Sequence, residues 1–244
     1  AHLHARALQV TSNTKLVACC SRSDVKATQF ATKYSCVGCS SLHDFLLLPE
    51  IEVVSIATPS GAHMEPALSA IEAGKHIIIE KPLEVTRDRC QRILDAADRR
   101  GVVVAGIFPS RFLKVSQLIK HAIDSGRLGR VVLGDAYVKW YRNQQYYDDG
   151  GWHGTKRLDG GGTLMNQSIH AIDLLQWFMG PATQVFGVTA TLGHREIEVE
   201  DNLLQLLKNF GSRVISRSVK VLRNEMILVF SSLDILIPLF NDGS

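Results

Sequence analysis

The first 107 residues alternate short apolar runs with segments of helical pattern, and this alternation constrains the fold more than any other feature of the chain. The runs IEVVSIA (51–57), HIII (76–79) and VVVAGI (102–107) are rich in Val and Ile. Near-continuous β-branched runs that are each followed by a helix are typical of parallel strands covered on both faces. We therefore predict an α/β domain with a parallel sheet over residues 1–108. Its further expected elements are a strand over 15–20 and helices over 24–34, 40–48, 63–73 and 86–100.

The second half of the chain has a different pattern and predicts a second domain, residues 109–244, of α+β type. Its helices are expected over 112–125 and 163–179, and its strands over 131–141, 183–191, 197–208, 213–222 and 226–239. A helix lying against a series of long strands favours an open, mostly antiparallel sheet.

Composition and charge exclude several classes of protein. The 244 residues include 27 basic and 24 acidic side chains, which are interspersed and give a net charge of +3. A nucleic-acid partner and a polybasic membrane arm are therefore not expected. The longest apolar run, 226–240, is interrupted by polar residues and is shorter than the roughly 20 residues that span a bilayer. We expect no membrane partner.

The five cysteines are an odd number, which argues against a secreted disulfide scaffold and favours a reducing, cytoplasmic location. Cys36 and Cys39 form a CxxC pair with His43 nearby, but a structural zinc site needs four ligands and the sequence has no second pair. We expect no metal here and interpret these thiols as buried and inert. His2 and His4 are interpreted as surface or capping residues.

Three polar segments directly follow predicted strands: Ser21-Arg22, Thr58-Pro59-Ser60 and Glu80-Lys81-Pro82. In parallel α/β sheets ligands bind beyond the carboxyl ends of the strands, so these segments are candidate binding residues. Lys81 is either a positioned ammonium that polarises a reacting oxygen or an ordinary surface lysine. Its position alone leaves both interpretations open.

The helix that follows Gly160-Gly161-Gly162 carries Asn166, His170 and Asp173. At about 100° per residue, their spacing places the three side chains on one face of an α-helix. Such a polar stripe suggests a cavity wall, where His170 accepts a proton from an alcohol; the alternative is a hydrogen-bonded core histidine. The glycines are expected to let a ligand approach the helix N-terminus closely.

Three motifs, in this order, resemble the glucose–fructose oxidoreductase, inositol dehydrogenase and MocA-like (Gfo/Idh/MocA) family. They are IATPSGAH (56–63), AGKHIIIEKPL (73–83) and GGGTLMNQSIHAIDLLQWFMG (160–180). With HARAL, GIFPSRF and IEVEDN the resemblance covers about residues 1–205. It implies a Rossmann domain that binds NAD or NADP, followed by an α+β domain whose open sheet often mediates oligomers.

Roles for individual residues follow from this resemblance and from the strand ends. The expected cofactor-binding residues are Ser21, Arg22, Thr58, Pro59, Ser60, His63, Glu80, Lys81 and Arg111. The expected substrate-binding residues are Lys81, Trp152, Asn166 and His170, and the expected catalytic residues are Lys81, His170, Asn166 and Asp173. His170 would be the acid/base on a substrate hydroxyl, with Asp173 orienting it. Asn166 stands where the family often has an aspartate, so it can bind substrate but cannot take a proton.

The residues after the strand at 15–20 bear on the choice of cofactor. An acidic residue there favours NAD, whereas an arginine accommodates the 2′-phosphate of NADP. Arg22 precedes Asp24, so NADP is slightly favoured. The family's first strand and GxGxxG loop should precede HARAL, and this sequence begins after them. Without that loop the pyrophosphate would lose its backbone cradle, and beyond about Leu207 the match fades.

We therefore expect an NAD(P)-dependent oxidoreductase acting on a secondary alcohol or ketone of a sugar, polyol or sugar nucleotide. The aromatic loop at Tyr146-Tyr147 would help Trp152 to pack against the sugar. Two alternatives stay open: a non-catalytic sensor of a dinucleotide or sugar, and a reductase of non-sugar carbonyl compounds. The expected partners are a sugar-like small molecule and further copies of the chain, in a dimer or tetramer.

Overall fold

The computed structural model describes residues 1–148, 151–209 and 212–219. It divides into two compact units, residues 1–107 and 108–244. The apolar run 226–239, which the sequence suggests is a strand, lies outside the described residues.

The first unit alternates helices and strands, as its sequence pattern predicts. Its strands are β1 (Ala18–Cys20), β2 (Val37–Cys39), β3 (Val53–Ile56), β4 (His76–Ile79) and β5 (Val104–Gly106), and its helices are α1 (His2–Val10), α2 (Asp24–Tyr34), α3 (Leu42–Leu46), α4 (Met64–Glu72) and α5 (Arg87–Arg100). β1 pairs in parallel with β2, and β3, β4 and β5 form a parallel three-stranded sheet in that order. The Rossmann-like parallel sheet expected from the sequence is confirmed.

One apolar core unites the first unit. Ile56, Ile77 and Ile79 pack against Ile71 and Ala67 of α4, and each of these side chains is at most 3% exposed. Burial of a side chain of this size contributes about 1.5–3 kcal/mol relative to exposure. The rigid strands that result hold the polar segments following β3 and β4 at one edge of the sheet.

Helix α1 carries His2 and His4, for which the sequence predicted surface or capping positions. A 2.9 Å hydrogen bond joins Nδ1 of His2 to the hydroxyl of Tyr34. The two ring nitrogens of His4 lie 2.7 Å from Ser55 Oγ and 2.7 Å from Glu80 Oε1. The interpretation of His4 as a surface or capping residue was therefore wrong, because this half-buried side chain ties α1 to the carboxyl ends of β3 and β4, whereas His2 is exposed, as expected.

The described part of the second unit contains one sheet and two longer helices. Its strands are β6 (Leu133–Val138), β7 (Ala182–Ala190), β8 (Asn202–Asn209) and β9 (Ser212–Val219), and its helices are α6 (Lys114–Asp124), α7 (Gln145–Asp148) and α8 (Ile169–Met179). The strand order is β6-β9-β8-β7, in which only β6 and β9 are parallel. The expected α+β unit with an open, mostly antiparallel sheet is confirmed for the described residues.

The helix expected over 163–179 is not uniform. Residues Thr163–Ser168 form a π-helical segment, and α8 begins only at Ile169. The prediction that Asn166, His170 and Asp173 share one face rests on an α-helix throughout. Because Asn166 lies in the π-helical segment, that prediction was wrong for Asn166. Single π turns within helices are frequent at functional sites.

No helix among the described residues has both the length and the apolar character that crossing a bilayer requires.

Candidate functional site

In the first unit the polar segments after β3 and β4 lie side by side. Ile56 is paired with Ile79, so Thr58 and Glu80 follow neighbouring strand ends. Thr58 is exposed, Ser60 is 7% exposed, and Arg22 is exposed after β1. β1 is not paired with β3 in the described part of the chain.

Glu80 is held by its neighbours on both sides of the carboxylate. Its Oε1 contacts His4 Nε2 at 2.7 Å, and its Oε2 accepts a 3.2 Å hydrogen bond from the backbone N–H of Lys81. Burial acts to raise the pKa of Glu80, but the hydrogen bonds and charges of His4 and Lys81 outweigh it, and the net shift is downward. Glu80 therefore presents an anion beside the half-buried Lys81.

His63 has a different environment from the one expected. It is only 1% exposed, and its Nδ1 lies 2.9 Å from the carbonyl oxygen of Pro82 and 3.3 Å from that of Leu83. Its Nε2 lies 3.0 Å from the carbonyl oxygen of Thr58. The expectation that His63 lines the cofactor is therefore corrected, since both nitrogens of this buried ring face backbone oxygens of the protein.

Glu84, which the sequence analysis did not single out, is a fully buried carboxylate on the same loop. It accepts hydrogen bonds from the backbone N–H groups of Met64 (3.2 Å) and Val85 (2.6 Å) and from Arg89 Nη2 (2.9 Å). Burial acts to raise its pKa, but these hydrogen bonds and the charge of Arg89 lower it overall.

In the second unit Asn166 belongs to a buried hydrogen-bond network. Its Nδ2 donates to Asp159 Oδ1 at 2.9 Å and lies 3.5 Å from the Tyr146 hydroxyl oxygen. Asp159 is 1% exposed and its Oδ2 accepts from the backbone N–H of Gly154 at 2.9 Å. Asp159 was missed by sequence reasoning, although an acidic residue directly before three glycines is a visible signal.

Aromatic rings surround this network. Tyr146 stacks on His153 with 4.4 Å between ring centroids, and His153 contacts the Trp152 ring at 3.9 Å. Burial, followed by the charge of Asp159, raises the pKa of Tyr146. Tyr146 therefore stays a neutral hydroxyl beside Asn166, and the structure brings the expected Trp152 loop close to the expected Asn166.

His170 and Asp173 have separate surroundings on α8. The ring of the half-buried His170 meets Phe108 edge-on, 6.3 Å between centroids. Both carboxylate oxygens of Asp173 accept hydrogen bonds from Arg111, from Nε at 2.7 Å and from Nη2 at 2.5 Å. Arg111 also lies over the Trp177 ring at 5.5 Å. The expectation that Asp173 orients His170 is corrected, because this carboxylate is bound through both oxygens to Arg111.

Of the three glycines, Gly162 packs closely against Glu200. A Cβ at position 162 would overlap the carbonyl oxygen of Glu200. That oxygen accepts from the Thr163 N–H at 2.9 Å, and Glu200 Oε1 accepts from the Leu164 N–H at 2.8 Å. These two N–H groups therefore already bond to Glu200, and the expectation that a ligand approaches them was wrong.

Cys36 and Cys39 were expected to be buried and inert. Both are free and half-buried, as are Cys19 and Cys90, whereas Cys20 is exposed, so the expected burial is only partial. Burial, together with neighbouring thiols, raises the pKa of Cys19 to about 12 and also raises the pKa values of Cys20 and Cys39, which disfavours the reactive thiolate. No group of acidic, His and Cys side chains in the described residues has the geometry of a metal site.

A nicotinamide dinucleotide fits the residues at the carboxyl edge of the parallel sheet. Thr58 is exposed after β3, and Lys81 provides a cation beside the anionic Glu80 after β4. Arg22 is exposed after β1, a strand of the separate two-stranded sheet. Hydroxyl and guanidinium groups suit ribose hydroxyls and a 2′-phosphate. No glycine-rich GxGxxG loop for the pyrophosphate occurs in the sequence.

Comparison with known families matches both units. Residues 1–108 match the model of an oxidoreductase family with an NAD-binding Rossmann fold, and residues 116–219 match the GFO/IDH/MocA C-terminal domain. The chain is 32% identical over 184 residues to the D-glucoside 3-dehydrogenase of Escherichia coli, covering 73% of this chain and 50% of that protein. It thus spans about half the length of that relative.

Two solved structures are also similar. The WlbA dehydrogenase from Bordetella pertussis, in complex with NADH and UDP-GlcNAcA, is 34% identical with a TM-score of 0.83, over 91% of this chain and 68% of that one. The corresponding enzyme from Chromobacterium violaceum, with the same two ligands, is 31% identical with a TM-score of 0.85, over 91% of this chain and 64% of that one.

Proposed function

Because this chain belongs to the GFO/IDH/MocA family of oxidoreductases, we propose that it transfers a hydride between a nicotinamide cofactor and a secondary alcohol or ketone of a sugar, polyol or sugar nucleotide. The observation that carries this proposal is the anchored Glu80-Lys81-Pro82 segment at the carboxyl end of β4, within a unit that matches an NAD-binding Rossmann fold. Ligands bind at this edge in parallel α/β sheets.

In the proposed mechanism the chain's own side chains handle the proton. His170 accepts the proton of the reacting hydroxyl, and the Lys81 ammonium stabilises the negative charge that develops on the oxygen. A nicotinamide held by the residues that follow the parallel strands would supply the hydride acceptor for the adjacent carbon. Asn166 binds a substrate hydroxyl without taking its proton, since a side-chain amide does not act as a base near neutral pH.

The substrate class is supported by the relatives and by the aromatic rings of the second unit. The relatives are a D-glucoside 3-dehydrogenase and two dehydrogenases solved with UDP-GlcNAcA. Tyr146 and Trp152 lie beside the Asn166 network, and aromatic faces pack well against sugar C–H surfaces. We propose a pyranose ring, free or attached to a nucleotide, as the group bound here.

We propose NADP over NAD as the preferred cofactor. The guanidinium of Arg22 is exposed directly after β1 and suits a 2′-phosphate. Arg22→Ala should weaken binding of NADP⁺ more than binding of NAD⁺, measured by titration calorimetry, with Lys26→Ala on the exposed face of α2 as the control. An equal loss for both cofactors would contradict the preference.

We also propose that copies of this chain associate through the open sheet. Phe186 and Val188, which lie two residues apart on one face of β7, are 59% and 53% exposed and form an apolar surface that association would cover. Light scattering coupled to size-exclusion chromatography measures this directly. A mass of one chain at micromolar concentration would contradict association.

The decisive experiment measures turnover of NAD⁺ and NADP⁺ with a panel of sugars and sugar nucleotides, on this chain and on a form extended at its N-terminus by a glycine-rich strand and loop. Lys81→Ala and His170→Ala should each lower kcat by about 100-fold or more. Unchanged turnover in both variants would overturn the proposed function. Cofactor or sugar binding without any turnover would favour the sensor.

A further inference from the structure

The ring of His63 joins the two loops that follow β3 and β4. It faces the carbonyl oxygens of Thr58 on one side and of Pro82 and Leu83 on the other. A carbonyl oxygen only accepts hydrogen bonds, so the ring must donate to make each contact. A neutral imidazole donates from one nitrogen only, so a ring that serves both loops donates from both.

A second tie runs in the opposite direction between the same segments. The Glu84 carboxylate accepts from the backbone N–H of Met64, the residue next to His63. Arg89 donates from Nη2 to Glu84 Oε1 and also to the carbonyl oxygen of Gly61 at 3.4 Å and to Glu65 at 2.8 Å. The buried Glu84 anion and its partner Arg89 thus bond to the backbone on either side of His63, at Met64 and Gly61.

Lys81 lies between two such anchors. On its amino side, Glu80 is held by His4 and by the N–H of Lys81 itself. On its carboxyl side, Pro82 and Leu83 are held by the ring of His63, which is 1% exposed and so is shielded from competing water. The backbone of Lys81 is therefore fixed from both directions.

We propose that His63 is a positioning residue for Lys81, donating from both ring nitrogens to hold the loop 81–84 against the loop that follows β3. This inference rests on the role given to Lys81 in the proposed function. A displacement of about 1 Å at a reacting group can cost on the order of 100-fold in rate, so the tie acts on kcat.

The first test requires no variant. The ¹⁵N chemical shifts of the His63 ring in the full chain should show both nitrogens protonated, whereas the exposed His43 on α3 serves as the reference histidine. A His63 ring with one bare nitrogen would overturn the two-donor arrangement and with it the proposal.

The second test uses His63→Phe, which keeps a ring of similar shape without donors, and His63→Gln, whose side-chain NH₂ keeps a single donor nitrogen. Amide hydrogen exchange at Met64 and Val85, whose N–H groups bond to Glu84, should accelerate at least about 10-fold in the first variant and less in the second. His43→Phe is the matched control and should change neither rate. Unchanged exchange in His63→Phe would overturn the proposal.

The third test separates this inference from the proposed function. His63→Phe should lower kcat by about 10- to 100-fold with little change in KM, and His63→Gln should recover part of the loss. An unchanged kcat in His63→Phe, in a protein where Lys81→Ala abolishes turnover, would overturn the positioning role alone. Turnover that is insensitive to Lys81→Ala overturns the proposed function and, with it, the positioning role of His63.

Discussion

The carboxylate of Asp159, which is only 1% exposed, accepts a 2.9 Å hydrogen bond from the side-chain amide of Asn166. The other carboxylate oxygen accepts from the backbone N–H of Gly154, in the loop that carries Trp152. One buried anion thus determines which end of the Asn166 amide is the donor and where the aromatic loop lies. Two residues expected to contact substrate depend on a third that the sequence analysis did not name.

Asp159→Asn is expected to lower stability and to raise KM for the sugar. The substitution can place an N–H₂ group against the N–H₂ of Asn166, and loss of a hydrogen bond to a buried charge costs about 1.5–3 kcal/mol in the free energy of unfolding. Urea unfolding and sugar-dependent initial rates measure the two effects. Asp148→Asn, on the exposed end of α7, is the control and should change neither.

The exchanged pair gives a sharper version of this test. Asp159→Asn combined with Asn166→Asp restores one carboxylate and one amide, so part of the lost stability should return. If the double variant loses at least as much free energy of unfolding as the two single variants lose together, direct pairing of residues 159 and 166 is contradicted.

Asp173→Asn is expected to release Arg111. It should lower the affinity for the cofactor clearly while lowering the free energy of unfolding only slightly. Arg111 bonds to both oxygens of Asp173, but its side chain is 38% exposed, so solvent screening limits the stabilising contribution of the pair to about 1 kcal/mol or less. Calorimetric titration with NADP⁺ and thermal unfolding measure the two quantities. Asp124→Asn, which breaks the exposed Lys120–Asp124 pair, is the control. Cofactor affinity that is unchanged in Asp173→Asn would contradict a role for Arg111 at the cofactor.

How much the sequence alone could predict depends on whether a feature is periodic. α2 (Asp24–Tyr34) and β4 (His76–Ile79) have the predicted bounds, because apolar spacing and Ser or Gly at the ends report directly on local structure. The parallel sheet followed from the same pattern. These features depend on residues that are near one another in the chain.

The features that sequence reasoning missed depend on contacts between distant residues. The π-helical turn at Thr163–Ser168 accompanies the packing of Gly162 against Glu200, 38 residues later in the chain, and no local pattern reports that contact. His63 was expected at the cofactor because the motif IATPSGAH resembles that of the family, yet its ring is 1% exposed. A matching motif thus indicates a candidate segment but not the direction in which each of its side chains points.

Glu84 is expected to make stability depend on pH in the acidic range. Hydrogen bonds and the charge of Arg89 hold its pKa below the ordinary value of 4.5, against the effect of burial. A carboxyl whose pKa is lower in the folded protein contributes stability above its unfolded pKa, and this contribution is lost as pH falls through the folded value. Thermal unfolding should therefore show a midpoint that decreases as pH falls below about 4.5.

The variant Glu84→Gln isolates this contribution. Its unfolding midpoint should be lower than that of the unaltered chain at pH 7, and the difference should shrink as pH falls. Glu65→Gln is the matched control, since Glu65 also pairs with Arg89 but its side chain is 63% exposed. A difference between Glu84→Gln and the unaltered chain that stays constant from pH 7 to pH 3 would contradict the assignment.

Gly162→Ala is expected to destabilise the second unit strongly. A Cβ at this position would overlap the carbonyl oxygen of Glu200, which also accepts the N–H of Thr163, so the backbone of one segment must move and that hydrogen bond must lengthen. The expected loss is about 3 kcal/mol, at the upper end of the usual range for overpacking. Gly129→Ala is the control: its φ of +59° disfavours a side chain but its surroundings are open, so it should cost only about 1 kcal/mol. Equal losses in the two variants, measured by urea unfolding, would show that backbone conformation rather than contact with Glu200 requires the glycine.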